Sequence, residues 1–166
     1  MIIHAGNFIK LPVITQDGQY VGKIEKIVFS SEQSLMLGFF VKTRDFLSKI
    51  KVISTQDILV YHRKMIILNS IDSLVEINEI VRIEQEIKKG LKIIGANALT
   101  ESGKNIGKVY DLLIDTDSGM ILKFYTTSIF GQRIIPTEKV IEINKKGVIF
   151  SDDIEVKIAS QEMAMI

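Results

Sequence analysis

The sequence predicts a mostly β chain: two copies of one strand-rich module in tandem, joined by a single amphipathic helix. Three observations predict it. Nine residues recur at an offset of 85, branched aliphatic runs are cut by glycine-containing turns, and one stretch between the copies has helical apolar spacing. The expected layout is a first module over 1–73, a linker helix over 74–90 and a second module over 91–166.

The repeat carries most of the argument, because self-similarity at a fixed period means one supersecondary unit built more than once. Thr15-Gln-Asp-Gly-Gln-Tyr-Val-Gly-Lys23 returns as Thr100-Glu-Ser-Gly-Lys-Asn-Ile-Gly-Lys108. The offset of 85 holds onward, with Ile24, Ile27, Val28 and Phe29 falling on Val109, Leu112, Leu113 and Ile114. Leu37, Phe39 and Phe40 fall on Leu122, Phe124 and Tyr125. After a variable loop the offset becomes 82, so that Ile53 matches Ile135, Ile58 matches Val140, and Lys64 matches Lys146. Like replaces like, as expected where one core is made twice.

Within each copy the strands follow from turns and branched residues. Asp17-Gly18 and Ser102-Gly103 are turn dipeptides, since glycine accepts the positive φ of a tight hairpin. A short strand is expected before each turn, and long strands after them over 20–29 and 105–114. Gly22 and Gly107 interrupt these long strands, which points to a bulge or a close backbone approach. The apolar pattern then slips by one between Ile24 and Ile27, and between Val109 and Leu112, which suits a bulge as well. Further strands are expected over 35–42, 51–53, 58–61 and 65–68, with counterparts over 120–127, 133–135, 140–143 and 148–150. Many short strands at this spacing favour a small barrel or a sandwich.

The connecting stretch reads differently. Ile80, Ile83 and Ile87 form an i, i+3, i+7 stripe over residues 78–89. Asn78, or Ser73 with Glu76, can cap its start, and Gly90 can end it.

Composition narrows the function classes. Of 166 residues, 46% are hydrophobic and 25% charged, and the net charge is +1. No global field draws in nucleic acid or an anionic membrane. The chain has no cysteine, which removes disulfides, thiolate metal sites and cysteine nucleophiles, and fits a reducing compartment. Met1 to Asn7 lacks the basic and apolar regions of a signal peptide. No apolar run approaches the length of a transmembrane segment, so a cytoplasmic protein is expected.

With the repeat laid out, each copy resembles the PRC-barrel domain, found in the cytoplasmic part of the reaction-centre H subunit and in the C-terminal half of a ribosome-maturation factor. The first copy carries Val13-Ile-Thr-x-x-Gly-x-x-Val-Gly-Lys-Ile24, Leu37-Gly-Phe-Phe-Val41 and Ile53-Ser-x-x-Asp-Ile58. The second carries Ala98-Leu-Thr-x-x-Gly-x-x-Ile-Gly-Lys-Val-x-Asp111, Asp117-x-Gly119 and Ile135-Pro136-x-x-x-Val140. The second is the closer match, since the first has Lys26 and Ser54 in place of Asp111 and Pro136. The resemblance implies two compact β-barrels of about six strands each, used for interaction and not for catalysis.

No residue pattern nominates a catalytic, cofactor or metal site. Asp115-Thr-Asp117-Ser-Gly119 begins like a calcium loop, but no distal ligand follows, so it reads as a hairpin turn. Gly103-Lys-Asn-Ile-Gly107-Lys108 faintly resembles a phosphate loop, yet a strand and not a helix is expected after it. His4 and His62 lack a carboxylate or second histidine at useful spacing. Basic clusters at Lys49-Ile-Lys51, Arg63-Lys64 and Lys145-Lys146 read as solvated faces, with a phosphate-facing surface as the alternative.

Two loops stand out. Phe46 and Leu47 in the first copy, and Ile129 and Phe130 in the second, place large apolar groups where no strand needs them. Either they tuck under a barrel end, which is the favoured reading, or they form a contact with the other copy or with a partner. The expected function is a non-catalytic protein-interaction module whose partner is unidentified. Pairing of the two repeats within the chain is expected, about an approximate twofold axis. The alternatives are a ribosome- or RNA-associated factor and an enzyme with an unfamiliar site.

Overall fold

The computed structural model describes residues 1–44, 50–154 and 157–158 of the chain. The first half supplies β1 (Ile2–His4), β2 (Pro12–Thr15), β3 (Tyr20–Ser30), β4 (Leu35–Thr43), β5 (Ile50–Ser54), β6 (Ile58–His62) and β7 (Met65–Leu68). After α1 (Val81–Lys89) come β8 (Asn97–Thr100), β9 (Asn105–Asp115), β10 (Ile121–Ser128), β11 (Gly131–Pro136), β12 (Val140–Asn144), β13 (Gly147–Phe150) and β14 (Lys157–Ile158). The architecture is mostly β, with two sheets in tandem, as the repeat predicts.

The first sheet runs β5-β4-β3-β2-β7-β6 and the second β12-β13-β8-β9-β10-β11-β14, with β1 added to β9. Renumbering by the repeat turns one order into the other, β2 becoming β8 and β7 becoming β13. Even the register coincides. Val13 faces Gly22 and Ile14 faces Tyr20, while Ala98 faces Gly107 and Leu99 faces Asn105. In each copy the ladder skips one residue just before the glycine, so the expected bulge is there.

The glycines are also close-approach sites. A Cβ built on Gly22 would lie 2.3 Å from the Lys42 carbonyl oxygen, and one on Gly107 would lie 2.2 Å from that of Thr127. The second slip is real too. Ile24 pairs with Val41 but Lys26 with Phe40, and Val109 pairs with Thr126 but Asp111 with Tyr125. Glu25 and Tyr110 are therefore the extra, outward-bulging residues.

One contiguous cluster of buried side chains runs through both sheets, from Phe8, Ile24, Phe39 and Ile66 to Val109, Leu112, Phe124 and Phe150. Where the copies meet, two turns face each other. Met36 N–H donates to Gly119 O at 2.8 Å, and Ile121 N–H donates to Ser34 O at 2.9 Å. Each bond is the image of the other under the offset of 85, and Leu35 bridges Met120 at the centre. This is an isologous contact of the kind that closes a twofold dimer, here within one chain.

The segments that lead into each copy are exchanged. β1 leaves its own sheet and pairs with β9, with Ile3 opposite Ile114. The matching residues before the second copy are the end of α1, which packs on β3. Ser31 N–H donates to Glu86 Oε2 at 3.1 Å, in the place where Thr116 N–H donates to Met1 O at 2.8 Å.

The linker differs in detail from the expectation. The helix begins at Val81 and not at Asn78, and neither Asn78 nor Ser73 caps it. Instead Glu76 and Glu79 form a reciprocal capping box on a separate 3-10 turn, Ile77–Glu79. That turn satisfies its own amides and ends at Ile80 in an extended conformation, so the helix starts one step later. At the other end Gly90 takes φ 64, the left-handed conformation expected of a helix-ending glycine. Ile83 is fully buried, packing with Val28, Leu37 and Val52 on the first sheet, flanked by Ile80 and Ile87. This cover explains why β4 is apolar on both faces. No helix among the described residues is long and apolar enough to cross a membrane.

Candidate functional site

The hairpin between β10 and β11 is closed by two residues, Ile129 and Phe130, which are 93% and 85% exposed. Ser128 faces Gly131 across it. Two-residue loops favour asparagine and glycine because primed turns need positive φ. Neither Ile129 nor Phe130 has positive φ, and Gly131 at φ 117 supplies the unusual conformation instead. Two side chains hold the tip from below. Phe130 N–H donates to Ser128 Oγ at 3.2 Å, and Arg133 donates to the same oxygen at 3.4 Å and to the Ile106 carbonyl at 3.1 Å. Ile129 and Phe130 thus do not tuck under the barrel, since the strands they join are already paired to the last residue. Phe46 and Leu47 lie outside the described residues.

A groove of about 640 Å³ lies between the copies. Its floor is one edge of β3 from Glu25 to Phe29, and its walls are Phe40, Ile87, Ile94 and Tyr110. Both bulge residues, Glu25 and Tyr110, line it. The slip in apolar spacing is the sequence signal that marks them, because an extra residue on a strand turns its side chain outward. Burial raises the Tyr110 hydroxyl above its ordinary pKa, and the Asp111 charge adds to this. The groove's acids are largely occupied. Lys10 Nζ is 2.6 Å from Glu25 Oε1, and Lys89 Nζ is 2.9 Å from Glu86 Oε1. Burial pushes the Glu86 carboxyl up, but hydrogen bonds from Lys89 and Ser31 outweigh it and hold the group below the usual carboxylate value.

Folding also makes a pair that spacing could not show. His4 Nδ1 lies 3.1 Å from Asp111 Oδ2, an ion pair when the imidazole is protonated, though not aligned as a hydrogen bond. Asp111 Oδ1 meanwhile accepts from Gly6 N at 3.0 Å and Leu112 N at 2.8 Å. These contacts tie the leading segment to β9, which is positioning work. Lys26, at the matching place in the first copy, has no acid to offer. His62 accepts from Lys64 N at 3.2 Å in the β6–β7 turn, as Asn144 accepts from Lys146 N at 2.8 Å in the β12–β13 turn.

The Asp115–Gly119 stretch is a turn between β9 and β10. Asp115 accepts from Ser118 Oγ at 2.8 Å and from Asp117 N at 3.3 Å, and its carboxyl is held below the usual range mainly by the Ser118 bond. The Met1 amino group lies 3.0 Å from Asp117. The Gly103–Lys108 stretch is a turn running into β9, with no helix after it.

Comparison with known families supports the architecture directly. The model of the PRC-barrel domain matches residues 2–75 and, a second time, residues 88–158. No curated protein matches the chain.

Proposed function

Since this chain belongs to the PRC-barrel domain family and carries the domain twice, we propose that it is a non-catalytic interaction module that holds a partner protein. The observation that carries this reading is the Ile129–Phe130 tip. Two large apolar side chains stand almost wholly in water at the tip of a hairpin that uses only their backbone to turn. Adjacent exposed apolar groups on a rigid mount are what a binding hot spot needs. The site chemistry also favours binding over catalysis, since Asp111 is engaged by two backbone amides and His4. A cytoplasmic setting, which a cysteine-free chain suits, belongs to the same proposal.

The test is affinity capture from lysate of the source cells, with and without nuclease, comparing the natural chain with an Ile129→Ser, Phe130→Ser double variant. A protein captured by the natural chain and lost with the variant supports the proposal. Losing two central contacts should cost about 2 kcal/mol or more, roughly thirtyfold in affinity. The variant's melting temperature should stay within about 2 °C, since surface changes rarely matter more. Capture that depends on nucleic acid, or is indifferent to the variant, counts against it.

A further inference from the structure

The repeat shows one strand edge paired with a strand, while its twin, beside the end of α1, has no strand paired to it. In the second copy, β9 pairs with β8 through its first half, and its second half takes β1 on the same side, with Ile2, Ile3 and His4 facing Asp115, Ile114 and Leu113. In the first copy, β3 pairs with β2 as far as Lys23, and Ile24 then exchanges backbone hydrogen bonds with Lys10 and Leu11. Among the described residues no strand pairs with that edge over the twin positions Val28, Phe29 and Ser30. The edge ends where Glu86 takes the Ser31 amide, as Met1 takes the Thr116 amide in the second copy.

A bare edge displays backbone donors and acceptors at strand spacing, and proteins use such edges to recruit extended peptides. Alternation along the ladder directs the Ile27 and Phe29 amides away from β4, as it directs those of Leu112 and Ile114 away from β10. The space beside this edge is not filled. It is the groove of about 640 Å³ between the copies, within the size range of binding sites.

We propose that the β3 edge binds an extended segment of a partner protein by strand addition, in the antiparallel sense in which β9 binds β1. The occupant's chemistry follows from what lines the groove. Phe40, Ile87 and Ile94 call for branched aliphatic residues, the type that Ile2 and Ile3 supply on β9. Lys26 and Lys92 also line the groove, and neither has a carboxylate partner among the described residues, whereas Glu25 and Glu86 are each paired with a lysine, Lys10 and Lys89. The preferred segment is therefore aliphatic at its centre and acidic at its ends. This site is apart from the hairpin tip, so each can fail without the other.

The test uses the full chain and a capped synthetic peptide, Glu-Ile-Ile-Thr-Glu, with amide hydrogen exchange read residue by residue. Added peptide should slow exchange at Ile27 and Phe29, and a peptide N-methylated at its central isoleucine should slow neither. Lys26→Glu should weaken binding about tenfold, the value of one charge pair. Four results would overturn the proposal: no slowing at Ile27 and Phe29; equal slowing by the N-methylated peptide; slowing confined to Ile114, which would mean exchange with β1; or slowing that rises with protein concentration without peptide, which would make a second copy the occupant.

Discussion

Gly107→Ala should destabilise the protein by about 3 kcal/mol or more, lowering its melting temperature by roughly 10 °C. Two costs add at this position. The backbone has φ 119, a region alanine rarely adopts, and the new Cβ would lie 2.2 Å from Thr127 O and 2.7 Å from Thr127 C. Neither neighbour can yield, because both are main-chain atoms of β10. Gly103→Ala separates the two costs. That glycine has φ 85 with nothing within 4 Å of its Cβ position, so only strain applies, about 1 kcal/mol. Thermal unfolding of both variants checks the contrast; equal losses would mean that the close approach to β10 contributes nothing.

Ile83→Asp should cost about 3–5 kcal/mol, by placing an unpaired carboxylate among Val28, Leu37 and Val52. The helix sits close because Gly38 has no side chain; a Cβ there would lie 2.9 Å from Ile83 Cδ1. The variant relieves the buried group either by taking up a proton, which still leaves a polar carboxyl in an apolar site, or by lifting α1 from the sheet, which exposes Ile80 and Ile87 as well. Amide exchange through α1 should accelerate along with the fall in melting temperature. Val81→Asp is the control, since Val81 lies on the same helix but is 61% exposed and should change stability by less than about 0.5 kcal/mol. If both variants lose the same stability, helix propensity and not packing holds α1 in place.

The fold was legible because one signal was written twice. A glycine in a strand is ambiguous alone, but Gly22 and Gly107 at matching places mark the same bulge. The helix was visible in its stripe, and its start was missed because Glu76 and Glu79 form a local capping box that no apolar period reveals. Ile129 and Phe130 stand out in the sequence as large apolar groups that no strand requires. Their exposure was not legible, since it depends on how far β10 and β11 stay paired. The groove was not legible either. It arises from the exchange of leading segments, and nothing in Ile2-Ile3-His4 says that this strand will pair with residues more than a hundred positions away. The His4–Asp111 pair was hidden for the same reason: it exists only because β1 leaves its own copy.

Native-state hydrogen exchange across the whole chain tests whether the two copies, which share one core, fold as one unit. The slowest amides of β4 and β7 should open with the same free energy as those of β9 and β11, within about 0.5 kcal/mol. Two plateaus, one for each copy and separated by about 2 kcal/mol or more, would contradict it. They would show two independent domains that touch without depending on each other.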